Sequence, residues 1–240
     1  MFSANALQQT SFPTYTPIVV DVRALADDQP HTIKFSSVTT GQVVNFNLDE
    51  VFLADFTFND VWIYHWAWQY IERVYNAGIT GGCSSTPLQY CPDNTVTRGQ
   101  MAVFLLKGRH GSSYIPPAIN GDTGFADVAK DYWAAAWIKQ LAAEGITGGC
   151  GDGNYCPDAA VTRAQMAIFL LKAKHGSSYS PANATGVFTD VPVSYWAAKW
   201  IEQLALEGVT SGCGVGIYCP DDTVTRAQMA VFLVKAFGLP

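Results

Sequence analysis

The sequence predicts a mainly α protein, built as three tandem helix–loop–helix units behind a short β-rich segment. Three observations carry that prediction. The tripeptide Val-Thr-Arg recurs at 96–98, 161–163 and 224–226, at offsets of 65 and 63 residues, and everything upstream of it falls into register. Within each copy the apolar residues follow a helical rather than a strand period. Six cysteines fall as three local pairs, one per copy. The copies occupy 56–108, 124–173 and 187–240, and residues 1–55 are of a different kind.

In that first segment, 17–23, 31–35, 42–48 and 51–53 alternate apolar and polar residues, with Asp-Asp-Gln-Pro and Thr-Thr-Gly turns between them. Three or four short strands are expected, as a small sheet on the first unit or as the tail of an upstream domain. The N-terminus has neither the basic stretch nor the apolar run of a secretion signal, so the chain reads as a piece of a larger exported protein. The last residues, 236–240, read as an end directly after the final helix.

Each unit opens with Phe-x-Asp-Val, at 58–61, 125–128 and 188–191. Six residues beyond the Asp stands a Trp (Trp66, Trp133, Trp196), and four further on a second aromatic (Tyr70, Trp137, Trp200). Ile71, Ile138 and Ile201 follow, then Val74, Leu141 and Leu204, completing one face of an amphipathic helix. Gly78, Gly145 and Gly208 mark its end, where the left-handed conformation after a helix suits glycine. Core packing explains the second aromatic. For the first Trp, core packing and an exposed ring for a ligand both remain open.

A Gly-rich loop comes next, closed by Tyr-Cys-Pro-Asp, and it is read as too tight for regular structure. The pairs are Cys83 with Cys91, Cys150 with Cys156 and Cys213 with Cys219. An even count with none left over favours disulfides and an oxidising compartment. Zinc is disfavoured, because five or seven intervening residues is not knuckle spacing and no further Cys or His completes four ligands. A disulfide across so short a loop adds roughly 2–2.5 kcal/mol on the chain-entropy model.

The second helix starts at Thr-Arg-x-Gln. Thr97 with Gln100, Thr162 with Gln165 and Thr225 with Gln228 form capping boxes. The arginines Arg98, Arg163 and Arg226 need another reason, since the first helical position faces the positive end of the macrodipole. Each calls for a partner, either a carboxylate of the fold or an anionic ligand. The linkers after this helix, containing His110 and His175, are expected to lie on the next unit, with both histidines as surface residues.

Charge and motif content exclude several functions. A net charge of −6 argues against nucleic acid, whose phosphates demand clustered Lys and Arg. No apolar run is long enough to enter and span a bilayer. No nucleophile elbow, zinc-protease motif or phosphate loop is present, and the one other acid common to all copies (Asp93, Asp158, Asp221) is placed by turn and cap chemistry. No enzyme, cofactor or metal is expected; calcium at Asp152 is rejected because the other copies lack equivalent acids.

The ordered set resembles the S-layer homology family. Its pattern appears as Asp127-Val, Tyr132-Trp-Ala, Gly145-Ile-Thr-Gly, Pro157-Asp and Val161-Thr-Arg-Ala-Gln in one run, with close matches in the other two copies, over about 56–235. The resemblance implies a pseudo-threefold prism, with the first helices as a central bundle and the second helices outside. It implies an exported protein held on the bacterial surface by cell-wall polysaccharide or a peptidoglycan-linked polymer bound in grooves between modules. Ligand contacts implied by the family are Arg98, Arg163 and Arg226, then Asp60, Asp127 and Asp190, then Trp66, Trp133 and Trp196. Gln100, Gln165 and Gln228 stand where the family has Glu, which removes a negative charge beside each Arg. The competing reading is structural: self-association of the modules in a surface layer or filament.

Overall fold

The computed structural model describes residues 56–240; the strands expected before residue 56 lie outside the described residues. Six helices follow in order: α1 (Trp68–Asn76), α2 (Arg98–His110), α3 (Ala135–Ala143), α4 (Arg163–His175), α5 (Ala198–Leu206) and α6 (Arg226–Phe237). Between α1 and α2, β1 (Ser84–Ser85) and β2 (Leu88–Gln89) pair antiparallel, Ser84 opposite Gln89. The first loop was expected to hold no regular structure. Its two extra residues give this short hairpin room, while the other two loops carry only single bridges, Gly151 with Asn154 and Gly214 with Ile217.

The layering reverses the expected one. The second helices α2, α4 and α6 pack on one another at the centre, and the first helices α1, α3 and α5 lie outside. Side-chain character explains the reversal. The second helices are apolar nearly all round, and α4 buries Met166, Ala167, Phe169, Leu170, Leu171 and Ala173. The first helices carry one narrow apolar stripe: α1 buries only Ile71 and Val74. A helix apolar on all sides belongs inside, and one with a single stripe belongs on a surface.

No outer helix packs on the inner helix of its own repeat. Instead α3 lies on α2, α5 on α4, and α1 returns to lie on α6, which closes the ring. Backbone hydrogen bonds close it again at the centre. The N–H of Val161 donates to the carbonyl of Val96 (3.0 Å), that of Val224 to Val161 (2.9 Å) and that of Val96 to Val224 (2.9 Å), all three residues being fully buried.

The inner helices begin as their sequence dictates. In each capping box the Thr hydroxyl accepts from the Gln backbone N–H and the Gln side chain accepts from the Thr backbone N–H. The first two N–H groups of each inner helix donate across to the next repeat: Arg98 to Ala159 and Gly99 to Pro157, Arg163 to Asp222 and Ala164 to Pro220, Arg226 to Asn94 and Ala227 to Pro92. Groups that a lone helix leaves orphaned thus join one repeat to another. The outer helices have no side-chain cap at their N-termini.

Candidate functional site

The loop between the two helices of each repeat organises the site. Gly82 sits at φ +90°, and a Cβ there would lie 2.3 Å from the carbonyl oxygen of Gln89; Gly149 and Gly212 are constrained in the same way. Only glycine fits such a turn. The disulfides Cys83–Cys91, Cys150–Cys156 and Cys213–Cys219 close the three loops. The second cysteine of each pair is left-handed, with φ of 56° at Cys91, 58° at Cys156 and 57° at Cys219. That conformation turns two successive N–H groups to one side, and the aspartate of Phe-x-Asp-Val accepts both. Asp60 accepts from Tyr90 (2.8 Å) and Cys91 (2.7 Å), Asp127 from Tyr155 (2.7 Å) and Cys156 (2.6 Å), and Asp190 from Tyr218 (2.8 Å) and Cys219 (2.6 Å). Burial would push the Asp190 carboxyl up, but these two bonds and the nearby Arg163 outweigh it and hold the group below the ordinary carboxylate range.

Asp60 with Cys83 and Cys91, and Asp127 with Cys150 and Cys156, bring three ligand-type atoms within 4.8 Å of one another. The sulfurs are joined as disulfides and the carboxylates are occupied by backbone N–H groups, so this donor set is already used by the fold.

The arginines find a partner that the sequence reading did not anticipate. Arg98 is 3% exposed; its Nε donates to the carbonyl of Tyr155 (2.7 Å), and its guanidinium lies 4.7 Å from the centre of that tyrosine's ring. The Tyr155 hydroxyl donates back to the Arg98 carbonyl at 2.8 Å. Arg163 and Tyr218 repeat the exchange, as do Arg226 and Tyr90. Burial pushes the guanidinium pKa of Arg98 and of Arg226 down, opposed by the tyrosine and by the aspartate of the adjoining repeat. Each arginine is therefore a clamp between repeats, with its carbonyl bond, ring face and nearby aspartate offsetting the cost of a buried charge. The Nη2 atoms of all three are buried and carry no hydrogen bond among the described residues.

The tryptophans behave differently. Trp66, Trp133 and Trp196 are 63%, 59% and 58% exposed. They were expected on the helical stripe, yet each lies two residues or fewer before the outer helix, in the turn that leads into it. The adjoining Ala67, Ala134 and Ala197 are fully buried, so the chain is anchored there while the ring projects. Tyr132 and Tyr195 brace the turn, donating to Asp158 and Asp221 at 2.8 Å. Those acids thus hold a tyrosine beside the exposed Trp, a role beyond the turn chemistry expected of them. In the first repeat His65 takes that place, stacked on Trp66 at 5.7 Å.

One groove, of about 440 Å³, gathers residues from all three repeats. Thr80, Gln100 and Lys107 come from the first, Trp133 from the second and Arg226 from the third. Two cations line it and no carboxylate does. The repeat places Lys172 and Lys235 at the position of Lys107, and Gln165 and Gln228 at that of Gln100. Lys107, which lines this groove, is not among the residues the sequence pattern singled out, although its recurrence at one position of all three inner helices was a signal for it.

The S-layer homology domain pattern matches residues 57–102, 124–167 and 187–230. A cellulosome-anchoring protein of Acetivibrio thermocellus is 28% identical over 147 residues, 60% of this chain and 32% of its own length. The S-layer protein EA1 of Bacillus anthracis is 28% identical over 203 residues, 83% of this chain and 22% of its own. An amylopullulanase of Thermoanaerobacterium thermosulfurigenes is 28% identical over 210 residues, 86% of this chain and 10% of its own. The chain thus spans a third or less of these relatives. Because the family pattern covers all three repeats and more than half of the chain, the protein belongs to the S-layer homology domain family.

Proposed function

We propose that the three modules anchor an exported protein at the bacterial cell surface by binding a wall polysaccharide in the grooves between repeats. The observation that carries this is the groove itself: the exposed Trp133 ring, Lys107 and the Arg226 guanidinium share its lining, and no carboxylate does. A pyranose ring packs on an aromatic face, and a cation-lined groove favours an acidic polymer. On this reading Trp66, Trp133 and Trp196 make the direct contacts. Asp60, Asp127 and Asp190 shape the loops, and Arg98, Arg163 and Arg226 hold the walls and supply charge through them. Described helices include none long and apolar enough to cross a membrane. The family matches include enzymes as well as anchoring proteins, and we assign attachment, not catalysis, to this segment.

Co-sedimentation with wall sacculi of the producing bacterium tests the reading. Changing all three tryptophans to Ala leaves the melting temperature near that of the wild type, because the rings are exposed, and abolishes sedimentation. Wild-type sedimentation of that variant would refute the groove as the site. A second reading, self-association, draws on the third repeat, where exposed Val193, Val215 and Ile217 replace Lys130, Asp152 and Asn154 of the second. Concentration-dependent assembly without any glycan, lost on Val215→Asp, would favour it.

A further inference from the structure

We infer that the turn leading into α1 carries a second sugar-binding surface, an aromatic platform of Trp62, Tyr64 and Trp66 that takes an uncharged, β-linked polysaccharide. Trp66 alone is shared with the groove reading above, and the platform needs no cation.

This turn sets the first repeat apart. Where the second repeat has Ala129, Lys130 and Asp131 and the third has Pro192, Val193 and Ser194, the first has Trp62, Ile63 and Tyr64. Trp62 is 49% exposed and Tyr64 54%, beside the 63% of Trp66, whereas Ile63 between them is half-buried. The turn thus shows its rings and withdraws its aliphatic side chain. Both tryptophans are also held in place. The Trp62 ring lies 5.6 Å from that of the buried Phe56. His65 Nδ1 accepts from the N–H of Ala67 (3.2 Å), which fixes the imidazole on which Trp66 stacks. The N–H of His65 donates to the Trp62 carbonyl at 2.8 Å and closes the turn. A ring already ordered loses little freedom when a ligand covers it, which favours binding.

Size and chemistry choose the occupant. At roughly 150–250 Å² per aromatic side chain, three half-exposed rings present on the order of 300 Å². A stable protein interface needs about 800 Å² from each partner, so the platform is too small to hold a second copy of the chain by itself. A bilayer surface takes aliphatic side chains along with rings, and here Ile63 is the one drawn in. A pyranose with equatorial substituents has a flat face of C–H groups that packs on an aromatic ring, and a β-linked chain repeats that face along its length. No carboxylate, ammonium or guanidinium group stands between Val61 and Ala67, so the chain that matches the turn is uncharged.

The test is affinity electrophoresis of the full chain in native gels cast with hydroxyethylcellulose, glucomannan or glycol chitin, the last separating N-acetylated from plain sugars. The wild type is expected to be retarded in at least one gel. Trp62→Ala with Tyr64→Ala should raise the dissociation constant there roughly tenfold or more, and Trp62→Phe with Tyr64→Phe, which keeps the rings, should recover most of the loss. Lys130→Ala with Asp131→Ala, a charge-neutral change at the matching turn of the second repeat, should run as the wild type does. Oxidative footprinting reads the same contact on the unaltered chain: the retarding polysaccharide should protect Trp62, and unchanged labelling of Trp62 overturns the platform. No retardation of the wild type in any gel also overturns it, and leaves the sedimentation test of the grooves untouched. Equal retardation of the wild type and the Ala pair does the same. Flotation of the wild type on phosphatidylcholine vesicles in place of retardation, lost in the Ala pair, would make the turn a lipid contact and sink the glycan assignment.

Discussion

The two ends of the inner bundle follow different rules. At the N-terminal ends of α2, α4 and α6 all three repeats are alike, with the same valine ring, the same arginine–tyrosine exchange and the same donation of helix N–H groups into the next loop. At the C-terminal ends the repeats part company. His110 meets Glu144 and His175 meets Glu207, both at 2.8 Å, and each histidine stacks on a linker tyrosine, Tyr114 or Tyr179. The closing contact between α6 and α1 has no such pair: Ala77 stands where the acids would be, and Arg73 donates instead to the carbonyls of Leu239 and Pro240. The difference reflects burial. Backbone bonds and buried charges at the first end admit few substitutes, whereas partly exposed ion pairs at the second are worth little individually and are easily exchanged for other contacts.

The largest effect should come from breaking the alike end. Arg163→Ala removes a buried charge-assisted bond and a ring contact, leaving the Tyr218 carbonyl without its donor. Urea denaturation is expected to show a loss of roughly 3 kcal/mol. A loss no greater than that of a surface ion pair would mean that the arginine does not join the repeats.

Alkaline titration comes next in size. Burial pushes the Tyr90 phenol up from its ordinary 10.0 to about 12 and pushes Tyr155 and Tyr218 up too, each opposed only in part by its arginine. A pKa raised by folding means stability that is complete below the unfolded value and lost as pH climbs through the folded one. The unfolding midpoint should therefore hold steady to about pH 10 and fall between about pH 10 and 12. Tyrosinate absorbance should show these three ionising with unfolding and not before it; early ionisation of all eleven would place them at the surface.

The smallest effect belongs to the divergent end. The Lys174 and His175 partners of Glu207 hold its carboxyl below the ordinary range against the effect of burial, and the pair is partly exposed. Glu207→Gln is expected to cost below about 1 kcal/mol, less still in high salt. A cost equal to that of Arg163→Ala would erase the distinction between the ends.

Legibility in the sequence followed the range of each interaction. The capping boxes were readable because Thr97 and Gln100 are three residues apart and satisfy each other. The disulfide pairs were readable for the same reason, with separations of 8, 6 and 6 residues. Arg98 announced only that it lacked a reason; its partner, Tyr155, lies 57 residues on and in another repeat. The stripe through Trp66 suggested a helical position, but the helix starts at Trp68 and the ring projects from the turn before it.

Taken alone, the sequence determined the threefold repeat, the helix boundaries at the capping boxes, the local staples and the surface-anchoring family, since each is written in residues close along the chain or in their recurrence. The tertiary structure decided which helices lie inside, that each outer helix packs on the preceding repeat, and that arginine and aspartate bond within the fold while tryptophan faces outward. Those outcomes depend on closing the ring, α1 onto α6, and no local period specifies the partner that a repeat meets when the chain returns on itself.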